Sequence, residues 1–155
     1  MASIEILGVD NLIAKLNNIS NAKKVEDAMN TATLLVHGQA KLLAPVDTGA
    51  LAGSIRPKVI RNGTTIVGKV YTNLSYAIYV EFGTGSKGKG TYNNPNVTPT
   101  YRDTPWVYTP NGGEDFYYTE GQVAQPYMYP ALKMNEKKIR EMLNNAIRSE
   151  IKGGN

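Results

Sequence analysis

The chain has no cysteine, which excludes disulfide scaffolds, thiolate metal sites and cysteine nucleophiles together. Its single histidine, His37, excludes multi-histidine metal centres. No apolar run approaches the roughly 18 residues of a membrane-spanning helix. The amino terminus, MASIEILGVD, has no basic flank and carries Glu5 and Asp10 instead, so no signal peptide is read there. A soluble chain made in a cytoplasm is expected. Charge of one sign is also scarce: a net +4 permits contact with nucleic acid or an acidic partner without arguing for either. What remains is ordinary globular material, 41% hydrophobic and 19% charged over 155 residues. That length supports one domain with a core, residues 1–155, and not two.

The first third reads as helix over 10–44. Asp10 is a good N-cap for a short amphipathic stretch, Asn11 to Leu16, because its carboxylate can accept an orphan backbone N–H. Ser20-Asn21 then punctuates the chain. Beyond it Val25, Ala28, Met29, Ala32, Leu35, Val36, Leu42 and Leu43 fall at spacings of three and four, on one broad face. Pro45 ends this helix at Ala44, because the residue before proline is pushed out of the α region. The last segment, 130–152, is the cleanest helix. Pro130 suits the first helical position, and Leu132, Ile139, Met142, Leu143, Ala146, Ile147 and Ile151 form a stripe.

Between the helices, 53–72 reads as a hairpin. Ser54–Arg61 and Thr64–Tyr71 flank Asn62-Gly63, the pair that suits a type I′ turn. Ile55 shares a face with Val59, and Ile66 with Val70, while Val67 and Tyr71 point the other way. Residues 75–83 fit two descriptions, a short helix with Ser75 as N-cap and Gly83 at its end, or an aromatic strand.

Residues 84–125 are a different material. The stretch from Gly83 to Gln125 has no Leu, Ile or Met, yet it holds Trp106, Phe116 and the tyrosines at 92, 101, 108, 117 and 118. Long loops inside compact domains are usually functional or disordered, and disordered ones are poor in aromatics. This excursion is therefore expected to pack on something, with short strands at Trp106–Tyr108 and Phe116–Tyr118. The plain alternative is a hairpin folded back on its own domain. The fold expected is α+β: an antiparallel sheet around the central hairpin, a long N-terminal helix and a C-terminal helix on one face, and the aromatic-rich excursion.

No motif carries catalysis. Asp47-Thr48-Gly49 spells the aspartic-protease triplet, but it follows a helix and a proline instead of ending an apolar strand. A turn in which Asp47 and Thr48 bond nearby backbone explains it better. Gly83 to Gly90 matches G-x-G-x-x-G and nearly a P-loop, but lacks the final hydroxyl, and Thr-Tyr-Asn-Asn-Pro after it cannot open a phosphate-binding helix. A flexible basic loop is expected, whose glycines 83, 85, 88 and 90 would let the excursion hinge. Glu114, Asp115 and Glu120 read as a solvated acidic edge, and His37 as a packed or surface residue. Lys133, Lys137, Lys138 and Arg140 form a basic run that reads as a solvated face or as a place where DNA passes. No catalytic residue, cofactor or metal ligand is assigned.

Three stretches, in order, resemble one family. Ala44-Pro-Val-Asp47-Thr48-Gly49-Ala-Leu51-Ala-Gly-Ser54-Ile55 is the first, Tyr76-Ala-Ile-Tyr79-Val-Glu81-Phe82-Gly-Thr84 the second, and Gln125-Pro-Tyr127-Met-Tyr129-Pro-Ala-Leu132 the third. They resemble the neck, tail-completion or head–tail joining proteins of siphophages, also called minor tail proteins. Tyr127 and Tyr129 depart from a pattern that often has phenylalanine and a basic residue there. The resemblance implies a non-enzymatic virion component at the head–tail junction, working in a ring of its own copies, six favoured over twelve. Its implied neighbours are head-completion or connector proteins and tail tube or terminator proteins. Genomic DNA would pass nearby, and no membrane is involved. Tyrosine and tryptophan suit interfaces because they offer large area with few rotors to freeze. The residues expected at subunit or partner contacts are accordingly Tyr76, Tyr79, Glu81, Phe82, Thr84, Tyr92, Tyr101, Trp106, Tyr108, Phe116 and Tyr117. Asp47, Thr48, Gly49, Asn62 and Gly63 are expected to shape turns. Two other roles fit the same residues: a tail terminator that stops tube polymerisation, and a small nucleic-acid-binding module using the basic helix and stacking tyrosines.

Overall fold

The computed structural model describes residues 22–47 and 49–152. In chain order its elements are α1 (Lys23–Leu43), α2 (Ala50–Ser54), β1 (Arg56–Asn62), β2 (Thr65–Tyr71), α3 (Ala77–Phe82) and α4 (Gly85–Gly88). There follow β3 (Trp106–Tyr108), a 3₁₀ turn (Pro110–Gly112), β4 (Tyr117–Thr119), β5 (Gly121–Gln122) and α5 (Met128–Lys152). The class is α+β, as expected. Backbone proximity divides the chain into two compact units. The first takes residues to Val36, Pro57–Val70 and those from Met134; the second takes His37–Arg56 and Tyr71–Lys133.

In the first unit, β1 and β2 pair as a two-stranded sheet, and α1 meets it at Gly68. A Cβ added there would run into Thr33 Oγ1 and lie 3.0 Å from Met29 Sδ, so only glycine lets the helix come this close. Ile66 and Val70, on the same face by strand alternation, are half-buried. Thr33 is buried, and its hydroxyl donates to the Met29 carbonyl at 2.7 Å. The start of α1 is held from the far end of the chain. The Lys24 N–H donates to Glu150 Oε1 at 3.0 Å, and Lys24 Nζ donates to the Ser149 carbonyl at 3.1 Å and hydroxyl at 3.0 Å. A carboxylate at a helix N-terminus satisfies an orphan donor and opposes the positive end of the helix dipole. Glu150, although a glutamate, is 8% exposed.

The second unit has its core in Ala40, Ala44, Leu51, Ile55, Ala77, Tyr127 and Ala131, all buried. His37 is a packed residue, with Nε2 3.1 Å from the Ile55 carbonyl. Ser54 donates to Leu51 O and shares a 2.6 Å hydrogen bond with Thr72. Beyond α3 the chain makes a seam with the later strand β5. Thr84 and Gly85 form antiparallel bridges to Gln122 and Gly121, and Gln125 N–H donates to Val80 O at 2.8 Å.

Several sequence expectations need correction. The Asp10 cap, the 11–16 stretch and Ser20-Asn21 lie outside the described residues, as does Thr48. Asp47 is exposed and Gly49 has a φ of 77°. The strand expected from Ser54 begins at Arg56, because 50–54 coils into α2 and Ile55 ends that helix instead of sharing a sheet face with Val59. The loop between strands is Gly63-Thr64. Gly63 alone of the Asn62-Gly63 pair has positive φ, at 59°, so the I′ turn, which needs two, does not form. Residues 77–82 resolve as helix, but Tyr76 and not Ser75 occupies the N-cap position, and no side chain caps it locally. The late strand runs 117–119, one residue beyond expectation. Leu42, Leu132, Ile147 and Ile151, placed on core stripes, are 81%, 52%, 44% and 44% exposed.

Helix α5 starts at Met128, so Pro130 is its third residue and not its first. The reason is a long-range cap. Glu81, 6% exposed at the end of α3, accepts the N–H of Tyr127 (2.8 Å) and Met128 (2.9 Å) on Oε2 and that of Tyr129 (3.0 Å) on Oε1. Pro130 has no N–H to satisfy. One carboxylate and one proline thus account for all four donors that a helix start leaves open.

Candidate functional site

The second unit carries an aromatic groove of about 910 Å³. Helix α3 gives one wall, with Tyr76 before it and Ile78, Tyr79 and Phe82 along it; β3 gives the other, with Trp106 and Tyr108. Val97, Pro99 and Tyr101 close it, and Gly83, Gly85, Gly121 and Gln122 lie along the seam. Among the described residues of the lining, the only formal charge is Arg102. Its guanidinium stacks 5.5 Å from the Trp106 ring centroid and its Nε donates to Thr104 Oγ1 at 3.1 Å.

The seam fixes the shape. Gly83 and Gly85 have φ of 75° and 62°, and a Cβ on Gly83 would lie 2.7 Å from Ala124 N and 2.8 Å from Gln122 O. On Gly85 it would strike the Glu120 carbonyl, and on Gly121 (φ 97°) the Thr84 carbonyl. The expected flexible loop is therefore packed backbone against backbone, and Gly85–Gly88 forms a helical turn. Of the four glycines read as hinges, only Gly90 stands in open space. Side chains complete the joint: Gln122 Nε2 donates to Tyr79 O at 2.9 Å, Tyr101 Oη to Phe82 O at 2.8 Å, and Ala124 N–H to Thr91 Oγ1 at 2.8 Å.

Of the expected contact residues, Tyr76, Tyr79, Phe82, Thr84, Tyr101, Trp106 and Tyr108 come together in the groove lining. Tyr92 lies behind it, edge-on to Phe82 at 4.7 Å and to Tyr129 at 6.4 Å between ring centroids. Its hydroxyl is pushed above the usual tyrosine range, mainly by burial. Glu81, expected at a surface, is interior: its carboxylate is committed to the α5 cap. Phe116 and Tyr117 belong to the β3–β4 hairpin but not to the groove lining; Tyr117 sits opposite Tyr108 in the ladder. The sequence reading missed Ile78, Val97, Pro99 and Arg102. The signal available for Ile78 was its place between Tyr76 and Tyr79 in the second signature. The acidic edge holds: Glu114, Asp115 and Glu120 are exposed, and Glu120 pairs with Lys87 at 3.6 Å.

Among the described residues no group of His, Asp or Glu is placed to hold a metal ion, and no helix is long and apolar enough to cross a membrane. No acid–base pair is positioned among the described residues of the groove lining.

Residues 10–83 match the model of a family described as "Bacteriophage HK97-gp10, putative tail-component". No curated protein and no solved structure matches the chain. The match takes in the first signature and nearly all of the second, whereas the excursion and the third lie beyond it. The resemblance to siphophage neck and tail-completion proteins agrees with it: residues 10–83 are similar to a bacteriophage tail-component family.

Proposed function

We propose that this protein is a non-enzymatic structural part of the virion at the head–tail junction, completing the tail or joining it to the head as one subunit of a homo-oligomeric ring. The observation that carries this reading is the groove. Tyr76, Ile78 and Tyr79 on one wall are 42%, 55% and 55% exposed, and Tyr108 on the other is 47% exposed. A monomer working alone rarely leaves contiguous apolar area of this kind uncovered. The family match supplies the context of a phage tail. In this reading six copies close the ring, with twelve as the other stoichiometry. Connector proteins lie on one side, tail tube or terminator proteins on the other, and genomic DNA passes close to the basic side of α5.

Electron microscopy of lysates from the parent phage with this gene silenced tests the role. Filled heads beside separate tails of normal length support joining. Overlong free tails assign a terminator role instead, and normal infectious particles overturn the reading. Salt-sensitive binding of the purified protein to a random oligonucleotide would favour the nucleic-acid module.

A further inference from the structure

We propose that the groove is the acceptor for the outward face of the β3–β4 hairpin of a second copy of this chain, with Arg102 of the acceptor meeting Glu114 and Asp115 of the donor. The proposal rests on the ring reading above and names the contact that would build the ring.

The hairpin has two faces, and both lack a complete cover. Trp106 and Tyr108 face the groove and line it. By strand alternation Val107 and its ladder partner Tyr118 face the other way, and neither is part of the groove lining. They are 56% and 69% exposed, and Phe116, two residues before Tyr118, is 77% exposed. Two strands of three residues each do not stabilise an apolar face by themselves. Since the groove wall and the outward face are opposite sides of one hairpin, a subunit cannot lay that face into its own groove. A second copy can.

Charge selects the same partner. Arg102 is the cation of the groove, exposed and without an ion-pair partner among the described residues. Glu114 and Asp115 adjoin Phe116 and likewise have no ion pair among the described residues. Lys89 and Asp103 nearby are already paired at 3.1 Å, which leaves Arg102 as the cation available to a docking acid. One chain therefore carries an apolar groove with a positive rim and an apolar face with a negative tip. Two different surfaces that fit each other make a head-to-tail contact, which closes into a ring when the rotation per copy allows it.

The experiment is sedimentation of the full chain over a concentration series, with circular dichroism melts confirming that each variant folds. Arg102→Glu and the double variant Glu114→Arg/Asp115→Arg should each weaken self-association about tenfold or more. The triple variant combining them should recover it. Independently, Ile78→Cys with Phe116→Cys in this otherwise cysteine-free chain should give disulfide-linked multimers on a non-reducing gel, with either single variant giving at most dimers. Folded charge variants that assemble as the wild type overturn the contact and leave the ring reading standing. A failure of the triple variant to recover, with only intramolecular disulfide in the cysteine pair, overturns it in the same way. A wild-type chain that stays monomeric throughout overturns the ring and this contact together.

Discussion

The glycine seam and the β3–β4 hairpin both belong to the excursion, and they are built on opposite principles. In the seam, Gly83, Gly85 and Gly121 bring backbone against backbone, and side chains from Gln122, Tyr101 and Thr91 take up polar groups that would otherwise be open. On the hairpin, aromatic and aliphatic side chains stand uncovered on the outward face. The seam is covered within one chain, whereas the outward face of the hairpin is exposed. The contrast separates what the excursion needs for folding from what the proposed contact would use, and substitutions in the two places should behave differently.

The largest effect is expected at Gly121→Val. The position has a φ of 97°, and its Cβ would strike the Thr84 carbonyl and lie 2.7 Å from Gly85 Cα, all backbone that cannot swing aside. Strain and overlap together should cost about 4 kcal/mol. Urea unfolding followed by tyrosine and tryptophan fluorescence reads it; a loss under 1 kcal/mol, on the order of a tolerated surface change, would mean that the seam is loose.

Next comes the cap. Glu81→Ala leaves the N–H groups of Tyr127, Met128 and Tyr129 without their acceptor at a buried helix start, an expected loss of about 3 kcal/mol. Glu81→Gln keeps one acceptor oxygen but turns an N–H₂ toward donors, and should cost about 2 kcal/mol. Equal stability of Glu81→Ala and wild type in the same unfolding assay would show that water replaces the carboxylate without penalty.

These elements also show how much was legible beforehand. The long helices and the hairpin announce themselves through their periods, and the Trp106–Tyr108 strand through its aromatics. The helix starts do not. Lys24 and Glu150 are separated by 126 residues and Tyr127 and Glu81 by 46, so no local window contains the cap. That is why Pro130 looks like a helix start and is not. The glycines mislead for a related reason. A run of glycine in sequence signals backbone freedom, but here it permits close approach, and the strand it approaches lies some distance along the chain. The aromatic composition of the groove was readable, while its geometry depends on α3 and β3 meeting in space. Glu81 shows the limit, since one signature can mix surface residues with a buried structural one.

A smaller effect has a pH signature. Burial, then the charge of Glu81, then Tyr76 push the Tyr127 hydroxyl from the ordinary 10.0 up to about 12. Between those values the unfolded chain has released a proton that the folded chain keeps. The Tyr127 contribution is therefore fully present below about pH 10 and lost as pH rises through about 12, by up to ~3 kcal/mol. Tyr127→Phe should remove that share of the alkaline fall. Urea midpoints collected up to about pH 12 for both proteins test it, and parallel curves would show that the phenol titrates normally in the folded state.

The smallest effect on folding is expected where the exposed aromatic area is greatest. Phe116 is 77% exposed and lies just outside β4, so its ring gives the isolated subunit little burial. Phe116→Ser should leave the unfolding free energy within about 0.5 kcal/mol of wild type, the range of ordinary surface changes. The same substitution removes an aromatic anchor from the outward hairpin face, where a buried partner contact would concentrate binding energy. A variant that folds as well as wild type but sediments as a smaller species places the value of this ring in assembly. A variant that loses stability as a monomer instead places Phe116 in the subunit's own core, and the division between seam and hairpin fails at that residue.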